Sequence, residues 1–215
     1  MEKINLFQNK NFYIILTVTL LSVVGVTSII PVFPDMSEAL GVSLSNIGLF
    51  ITVFTLPGAL LSPFLGMIID RFGRKRILLS ALLLFGFTGT LCFFLRDFEL
   101  ILLLRFFQGI GGACLGIINL TLIGDIFTGD QKAKAMGYNS GAILVGSAVF
   151  PAIGGVLALI EWYFPFLLAG FAFIVAIWVY FALETPEPKE KMNLNHYIRK
   201  TVGSIFQRES ITLYL

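Results

Sequence analysis

The sequence predicts an all-α membrane protein built from six transmembrane helices. Of its 215 residues, 57% are hydrophobic and 13% are charged, whereas soluble domains average about 25% charged residues. The mean hydropathy is +0.89. The apolar residues lie in six runs, each near the ~20 residues that a helix needs to cross ~30 Å of hydrocarbon. Short polar connections separate the runs, as in packed helix bundles.

The six predicted spans follow one another between residues 12 and 183. The first run is longer than the ~7–15 apolar residues of a signal peptide, and it ends in Pro31-Val-Phe-Pro34 where a signal peptide has a small-residue cleavage site. We therefore expect it to remain as the first span. The predicted ranges, called spans 1 to 6 below, are 12–34, 45–69, 77–95, 99–124, 135–160 and 162–183.

The distribution of basic residues predicts the orientation in the membrane. All of the 15 lysines and arginines except Arg96 and Arg105 lie before span 1, between spans 2 and 3, between spans 4 and 5, or after span 6. The positive-inside rule places these segments on the cytoplasmic side of the plasma (inner) membrane, with both termini cytoplasmic. The opposite connections carry the acids Asp35, Glu38, Asp97, Glu99 and Glu161.

Four segments are expected along the chain. Residues 1–11 are a cytoplasmic N-terminus, 12–183 the transmembrane bundle, and 184–210 a charged, proline-bearing cytoplasmic linker. The single histidine, His196, falls in this linker and is expected to be solvated. The apolar residues 211–215 are typical of the beginning of a seventh span, so we expect the sequence to be a truncated part of a longer one.

A dense charge cluster, 70–76, joins spans 2 and 3. Asp70 falls at the C-terminal end of a helix, where the helix dipole is already negative, so its carboxylate requires cations nearby. Asp125, at the same end of span 4, has the same requirement, and Arg74 is placed to bridge both carboxylates. Gly73 gives the tight turn a residue that accepts positive φ. We interpret the cluster as an acid–arginine latch; the alternative is a basic loop that only sets the orientation.

Arg105 is the one charge well inside a predicted span. Such a charge costs about 2.5–3.5 kcal/mol at mid-bilayer and normally faces the bundle interior or a water-filled cavity. Gln108, three residues further along the helix, shares its face. The alternative is that the Arg105 side chain extends to the outer membrane surface.

Glycine spacing predicts close contacts between helices. Pro151 in mid-span 5 is expected to bend the helix, and Gly146, Gly154 and Gly155 to permit tight packing. The run Gly109-Ile-Gly111-Gly112 lacks both the final glycine and the preceding strand of a nucleotide-binding loop. Small residues four apart, which favour close helix contact, are Gly112 and Gly116, Gly58, Ser62 and Gly66, and Gly137 and Gly141.

Neither a catalytic nor a metal site is expected. Cys92 and Cys114 both fall in apolar runs, which indicates small packing residues. The spans contain no pair of carboxylates, histidine cluster or Ser/His/Asp set. We therefore expect neither an enzyme, nor a cofactor, nor a nucleic-acid partner.

Together these motifs resemble those of the major facilitator superfamily of secondary transporters, over about residues 12–185. The run Arg105-x-x-Gln108-Gly109-x-Gly111 resembles the family's span-4 motif. Residues 146–155 are similar to the span-5 motif of its drug:proton antiporter branch, with Phe150 where that branch usually has glycine, and Pro31 to Pro34 resembles the branch's span-1 ending. The family's loop signature is matched by Gly66, Asp70, Arg71, Gly73, Arg74 and Lys75.

The resemblance implies a twelve-helix transporter with a midplane site between two six-helix halves. This sequence would supply one half, made of two three-helix repeats, and a C-terminal half or a second copy would complete it within the lipid bilayer. By resemblance, the loop and Asp125 hold the cytoplasmic gate, and Arg105 with Gln108 and Gly109 couples proton movement to a small-molecule substrate. The span-5 kink is expected to guide the moving helices. Asp35 is a further candidate for a proton site.

Three functions are consistent with these residues. The first is proton-coupled export of small amphipathic molecules by alternating access, with the proton gradient as energy source. The second is uptake of sugars or other metabolites by symport, which Phe150 leaves open. The third, from another class, is a non-transporting six-span membrane receptor or assembly protein.

Overall fold

The computed structural model describes residues 6–184 and contains six helical segments of membrane-spanning length and composition. Within the described residues the regular structure is entirely helical, as the sequence predicts. The expected linker beyond residue 184, His196 and the expected seventh span lie outside this part of the chain. Spans 1 to 6 run over Lys10–Leu40, Leu44–Phe72, Arg74–Cys92, Phe98–Ile126, Gly129–Ala158 and Phe164–Ala182.

Prolines and glycines interrupt the first two spans. Span 1 consists of an α-helix over Lys10–Thr27, a 3-10 turn over Ile30–Val32 and a second helix over Phe33–Leu40, which ends at Gly41 with φ of 65°. Span 2 begins with the short helix Leu44–Ile47 and continues as Leu49–Phe72. The predicted end of span 1 at residue 34 is therefore six residues early.

Span 6, predicted as a helix over 162–183, combines two helix types. Phe164–Gly170 forms a 3-10 helix, and the α-helix covers only Phe171–Ala182. Pro165 lies at the start of this segment and has no N–H to donate to an α-helical hydrogen bond. Tighter 3-10 turns are common at such helix termini.

Two further boundaries differ from the prediction. Span 3 covers Arg74–Cys92 because Gly73 ends span 2 and the next helix begins at once. Span 5 begins at Gly129, six residues before the predicted start. Its first turns are polar and exposed, and the ion pair between Asp130 and Lys134 joins side chains four residues apart on that surface.

Span 4 lies at the centre of the bundle. It packs against spans 2 and 3 and also contacts span 1, while span 1 packs on span 5 and span 3 on span 6. Spans 2 and 5 are the least buried of the six. Their outer faces are left uncovered within the described residues, whereas span 4 supplies buried residues along its whole length.

Backbone-to-backbone approaches fix two helix crossings. A Cβ atom added at Gly109 would lie 2.1 Å from the carbonyl oxygen of Phe54, and one at Gly154 would lie 1.9 Å from that of Ser28. Only glycine permits such an approach. Gly109 thus sets the crossing of spans 4 and 2, and Gly154 that of spans 5 and 1.

The predicted close contacts are absent at several other glycines. At Gly66, Gly116, Gly137 and Gly141 no atom of the described chain lies within 4 Å of an added Cβ, so the expectation of tight packing is wrong there for residues 6–184. Glycine spacing alone does not reveal which face of a helix is in contact with a neighbouring helix.

The Gly154 crossing gives a stability prediction. Gly154→Ala is expected to destabilise the bundle by about 1–3 kcal/mol, because the added methyl group meets a main-chain oxygen that cannot rotate away. The measurement is the thermal unfolding midpoint of the purified protein in detergent.

Gly155→Ala is the matched control, since its Cβ would make an ordinary 3.8 Å contact with Pro31. Its midpoint should stay the same or rise, because alanine favours a helix over glycine by about 1 kcal/mol. An equal fall of the unfolding midpoint in both variants would show that Gly154 does not approach Ser28 more closely than Gly155 approaches Pro31.

Candidate functional site

A charge network joins spans 2, 3 and 4 at the end of the bundle that holds residues 71–76, called here the basic end. Arg74 Nη2 lies 3.4 Å from Asp70 Oδ1. The same guanidinium contacts both carboxylate oxygens of Asp125, with Nη2 at 3.4 Å from Oδ1 and Nε donating to Oδ2. One arginine therefore bridges the two acids that lie at negative helix ends.

The backbone turn at Gly73 precedes Arg74, and the exposure of the side chains indicates which of the two Arg74 contacts is the stronger. Gly73 has a φ of 90°, the positive φ that the sequence predicts for this turn, and the next helix begins at Arg74. The Arg74 side chain is 13% exposed, that of Asp125 27% and that of Asp70 40%. Because water screens exposed ion pairs, the contact with Asp125 is the stronger of the two.

The other residues of the loop have different surroundings. Lys75 Nζ donates to the carbonyl oxygen of Leu183 at the end of span 6, at 2.9 Å. Arg71 is exposed, with its guanidinium 5.6 Å from the ring centroid of Phe72. The signature loop thus contacts three spans through two consecutive residues, Arg74 and Lys75.

Arg105 lies inside the bundle with 1% of its surface exposed. Nη1 donates to the carbonyl oxygen of Gly25 at 2.6 Å and to Gln108 Oε1 at 2.8 Å. The guanidinium lies 4.7 Å from the ring centroid of Phe166 and 6.0 Å from that of Phe54. The alternative in which Arg105 reaches the outer surface is therefore wrong.

The surroundings of Arg105 leave part of its bonding capacity unused. Its Nε has no hydrogen-bond partner, and none of the ion pairs within residues 6–184 involves Arg105. A void of about 10 Å³ lies beside it, near Ser28 and Gln108. Within the described part of the chain, the buried charge is held by dipoles and aromatic rings, and no carboxylate forms an ion pair with it.

Gln108 and Gly109 serve Arg105 in different ways. Gln108 is 1% exposed and accepts directly from Arg105. Its amide lies over Gly89, where an added Cβ would be 2.3 Å from Nε2. Gly109 brings span 4 against span 2 and so positions the helix that carries Arg105.

Sequence reasoning missed a buried polar cluster formed by Thr19, Asn119 and Asn139 from spans 1, 4 and 5. Asn119 Nδ2 donates to Thr19 Oγ1 at 2.8 Å and to the carbonyl oxygen of Ile15 at 3.1 Å. Thr19 Oγ1 contacts Asn139 Oδ1, and Asn119 Oδ1 has no hydrogen-bond partner among residues 6–184. The sequence did contain a signal for this cluster, two asparagines within apolar runs, because asparagine side chains form hydrogen bonds between membrane helices.

This cluster borders a cavity of about 290 Å³ between spans 1, 2, 4 and 5. Small residues of spans 2 and 4 leave the space open, and aliphatic side chains form the rest of the wall. The lining residues are Thr19, Ser22, Gly58, Ser62, Gly112, Ala113, Gly116, Ile117, Asn119, Leu120, Asn139 and Ile143.

The remaining candidates lie apart from this cavity. The α-helix of span 5 continues through Pro151, and beyond it Gly154 makes the close contact while Gly155 does not. Gly146 faces Leu20 of span 1, with 3.3 Å between an added Cβ and Leu20 Cδ2. Asp35 is exposed in the first turn of Phe33–Leu40, at the opposite end from Arg74.

Comparison with known proteins gives one family and several bacterial relatives. Residues 15–212 match the model of the Major Facilitator Superfamily. The chain is 35% identical to the bacillibactin exporter of Bacillus subtilis (strain 168) over 73% of its length. It is 33% identical to multidrug resistance protein 1 of the same strain over 84% of its length, and 34% identical to quinolone resistance protein NorA of Staphylococcus aureus (strain Mu50 / ATCC 700699) over 79%. The matches span 41%, 46% and 45% of those relatives.

Proposed function

Because the chain belongs to the major facilitator superfamily, we propose that it takes part in proton-coupled export of small amphipathic molecules by alternating access. The direction of transport is supported by relatives whose names describe an exporter and two resistance proteins. Uptake by symport is the competing function, and the direction of flux distinguishes the two.

The cavity between spans 1, 2, 4 and 5 is the observation that carries the proposal. The described residues that line it are glycine, aliphatic residues, and residues with a hydroxyl or an amide, and none of them carries a carboxylate. Such a lining is suited to a molecule with a large apolar body and a few hydrogen-bonding groups. Its volume of about 290 Å³ is near the lower limit of ligand pockets, about 300–1,000 Å³. In our proposal a second half, or a second copy, covers the exposed faces of spans 2 and 5 and enlarges this space.

Two charged groups support a conformational cycle driven by protons. The Arg74 network closes the basic end, which the positive-inside rule assigns to the cytoplasm, and its partly exposed carboxylates allow it to open. Arg105 provides a buried positive charge whose energy depends on any charge that approaches it. An entering proton supplies about 2.3 kcal/mol per 100 mV of membrane potential, enough to shift an equilibrium between two states of a bundle.

Flux measurements test the proposal. The protein is reconstituted into liposomes with an imposed proton gradient, and the movement of ethidium and of a quinolone is followed together with internal pH. Export coupled to proton entry is the expected result. Inward movement of substrate together with protons would replace export by symport, and absence of any substrate-dependent proton flux would reject both.

A variant that fills the cavity gives a sharper prediction. Gly116→Val adds side-chain atoms at a position that lines the cavity and meets no other atom within 4 Å. We expect at least about a tenfold loss of ethidium flux, because the valine side chain would occupy space that the substrate needs, at the energetic cost of about one overpacked contact. Insertion into the membrane should be normal.

Gly137→Val is the matched control, because this glycine also has open space around it but does not line the cavity. Its flux should stay within about twofold of the unmodified protein, as for surface changes. Equal losses in the two variants would show that the effect comes from valine in a helix and not from the cavity.

A further inference from the structure

We propose that Asn11 and Lys75 form a clasp on the main chain at 183–184, which positions the polypeptide where it leaves span 6 and connects it to the Arg74 network. The clasp is a property of the folded bundle and goes beyond the transport activity proposed above. It is formed by two side chains that are 173 and 108 residues away from their main-chain partners.

Asn11 binds both main-chain groups of one residue. Its Nδ2 donates to the carbonyl oxygen of Glu184 at 2.8 Å, and its Oδ1 accepts from the N–H of Glu184 at 3.3 Å. A carboxamide is the side-chain group that presents a donor and an acceptor side by side, so this pair fixes orientation as well as position. Asn11 is itself held in the first turn of span 1, where its N–H donates to the capping Asn9 Oδ1 at 2.9 Å.

Lys75, in the first turn of span 3, binds the preceding residue. Its Nζ donates to the carbonyl oxygen of Leu183 at 2.9 Å. This carbonyl follows the last turn of the span-6 helix, where the negative end of the helix dipole favours a cation. The Leu183 side chain is 2% exposed and packs in the main hydrophobic core, so the main chain is anchored by burial as well as by three polar contacts.

The two side chains of the clasp, called the Asn11 arm and the Lys75 arm, belong to different parts of the bundle. The Asn11 arm belongs to span 1, whereas Lys75 directly follows Arg74, which contacts Asp70 and Asp125. A displacement of the main chain at Arg74 away from Asp70 and Asp125 carries the adjacent Lys75 with it relative to Leu183. The Asn11 arm therefore retains the main chain while the Lys75 arm transmits the state of the charge network to it.

A spin label attached through Glu184→Cys reports on the clasp, because Glu184 contributes only main-chain atoms to these contacts and is exposed. The protein without this change serves as the blank, since Cys92 and Cys114 are buried. Asn11→Ala and Lys75→Met should each raise the ratio of mobile to immobile label about tenfold, the effect of losing bonds to an anchored segment. Arg74→Met should raise it by a smaller factor, about threefold, because it leaves the Lys75 side chain and its bond to Leu183 in place and only loosens the position of Lys75.

Matched variants make the result specific. Lys134→Met removes an exposed lysine whose ion pair with Asp130 stays within one helix, and it should leave the ratio unchanged. Lys75→Arg keeps a charged donor and should restore most of the immobile component. If Asn11→Ala does not accumulate, Asn11→Asp keeps the shape, loses the donor and should give the same rise.

Each outcome bears on the clasp. An unchanged ratio in both Asn11→Ala and Lys75→Met would overturn it, and an equal rise in Lys134→Met would overturn it by indicating general loosening. An unchanged ratio in Arg74→Met would overturn the connection to the charge network. None of these measurements requires a substrate or a flux, so they remain decisive if the protein exports nothing.

Discussion

Arg105→Met is expected to reduce coupled transport at least about 100-fold while the six spans remain inserted. The methionine keeps most of the side-chain volume but leaves the carbonyl oxygen of Gly25 and the amide of Gln108 without their charged donor. Hydrogen bonds to charged groups contribute about 1.5–3 kcal/mol each, and these two lie inside the bundle, where little water screens them. The flux of ethidium and protons in liposomes, over a range of pH, measures the effect.

Two arginine variants control this result. Arg105→Lys retains the charge but not the planar guanidinium that donates twice from Nη1 and lies against the Phe166 ring, so we expect an intermediate loss of about tenfold. Arg96→Met removes an exposed arginine that also donates to main-chain carbonyls, those of Phe93 and Leu95, and should leave flux within about twofold. An Arg105→Met protein with an unaltered pH dependence would reduce Arg105 to a packing residue.

The number and order of the spans follow from hydropathy because the bilayer imposes one length scale on every helix. Hydropathy does not distinguish an α-helix from a 3-10 helix within a span. Pro165 was the residue in the sequence that could have indicated that span 6 begins as a 3-10 helix. The turn at Gly73 was readable because an acid, a glycine and a run of cations coincide within a few residues. The close contact at Gly112 and the open space at Gly116 have the same cue in the sequence, a spacing of four between small residues.

Contacts between distant residues could not be read in the same way. In the polar cluster, Thr19 contacts Asn119 and Asn139, which are 100 and 120 residues away along the chain. Each of the three is a polar residue in a different apolar run. Asn11 reaches Glu184 across 173 residues. Such pairings depend on which faces of the helices meet, and one sequence gives the period of a helix but not its rotation in the bundle.

Arg74→Met is expected to reduce transport about tenfold and to make the effects of Asp125→Asn and Asp70→Asn nearly vanish when combined with it. The guanidinium is mostly shielded, and its two contacts with Asp125 are joined by one with Asp70. Partly buried charge pairs of this kind exceed the ~0.2–1 kcal/mol of exposed ones. Double-mutant cycles on transport rate measure each coupling.

The two couplings should differ because the two carboxylates differ in exposure, 27% for Asp125 and 40% for Asp70. The Arg74–Asp125 coupling is expected to be the larger, and Lys134→Met, which breaks an exposed pair within one helix, should change flux by less than about twofold. Normal transport by both Asp70→Asn and Arg74→Met would refute the latch. Equal couplings would instead indicate that Arg74 exchanges between the acids during the cycle, since a static network in which Asp125 is the better shielded partner cannot produce them.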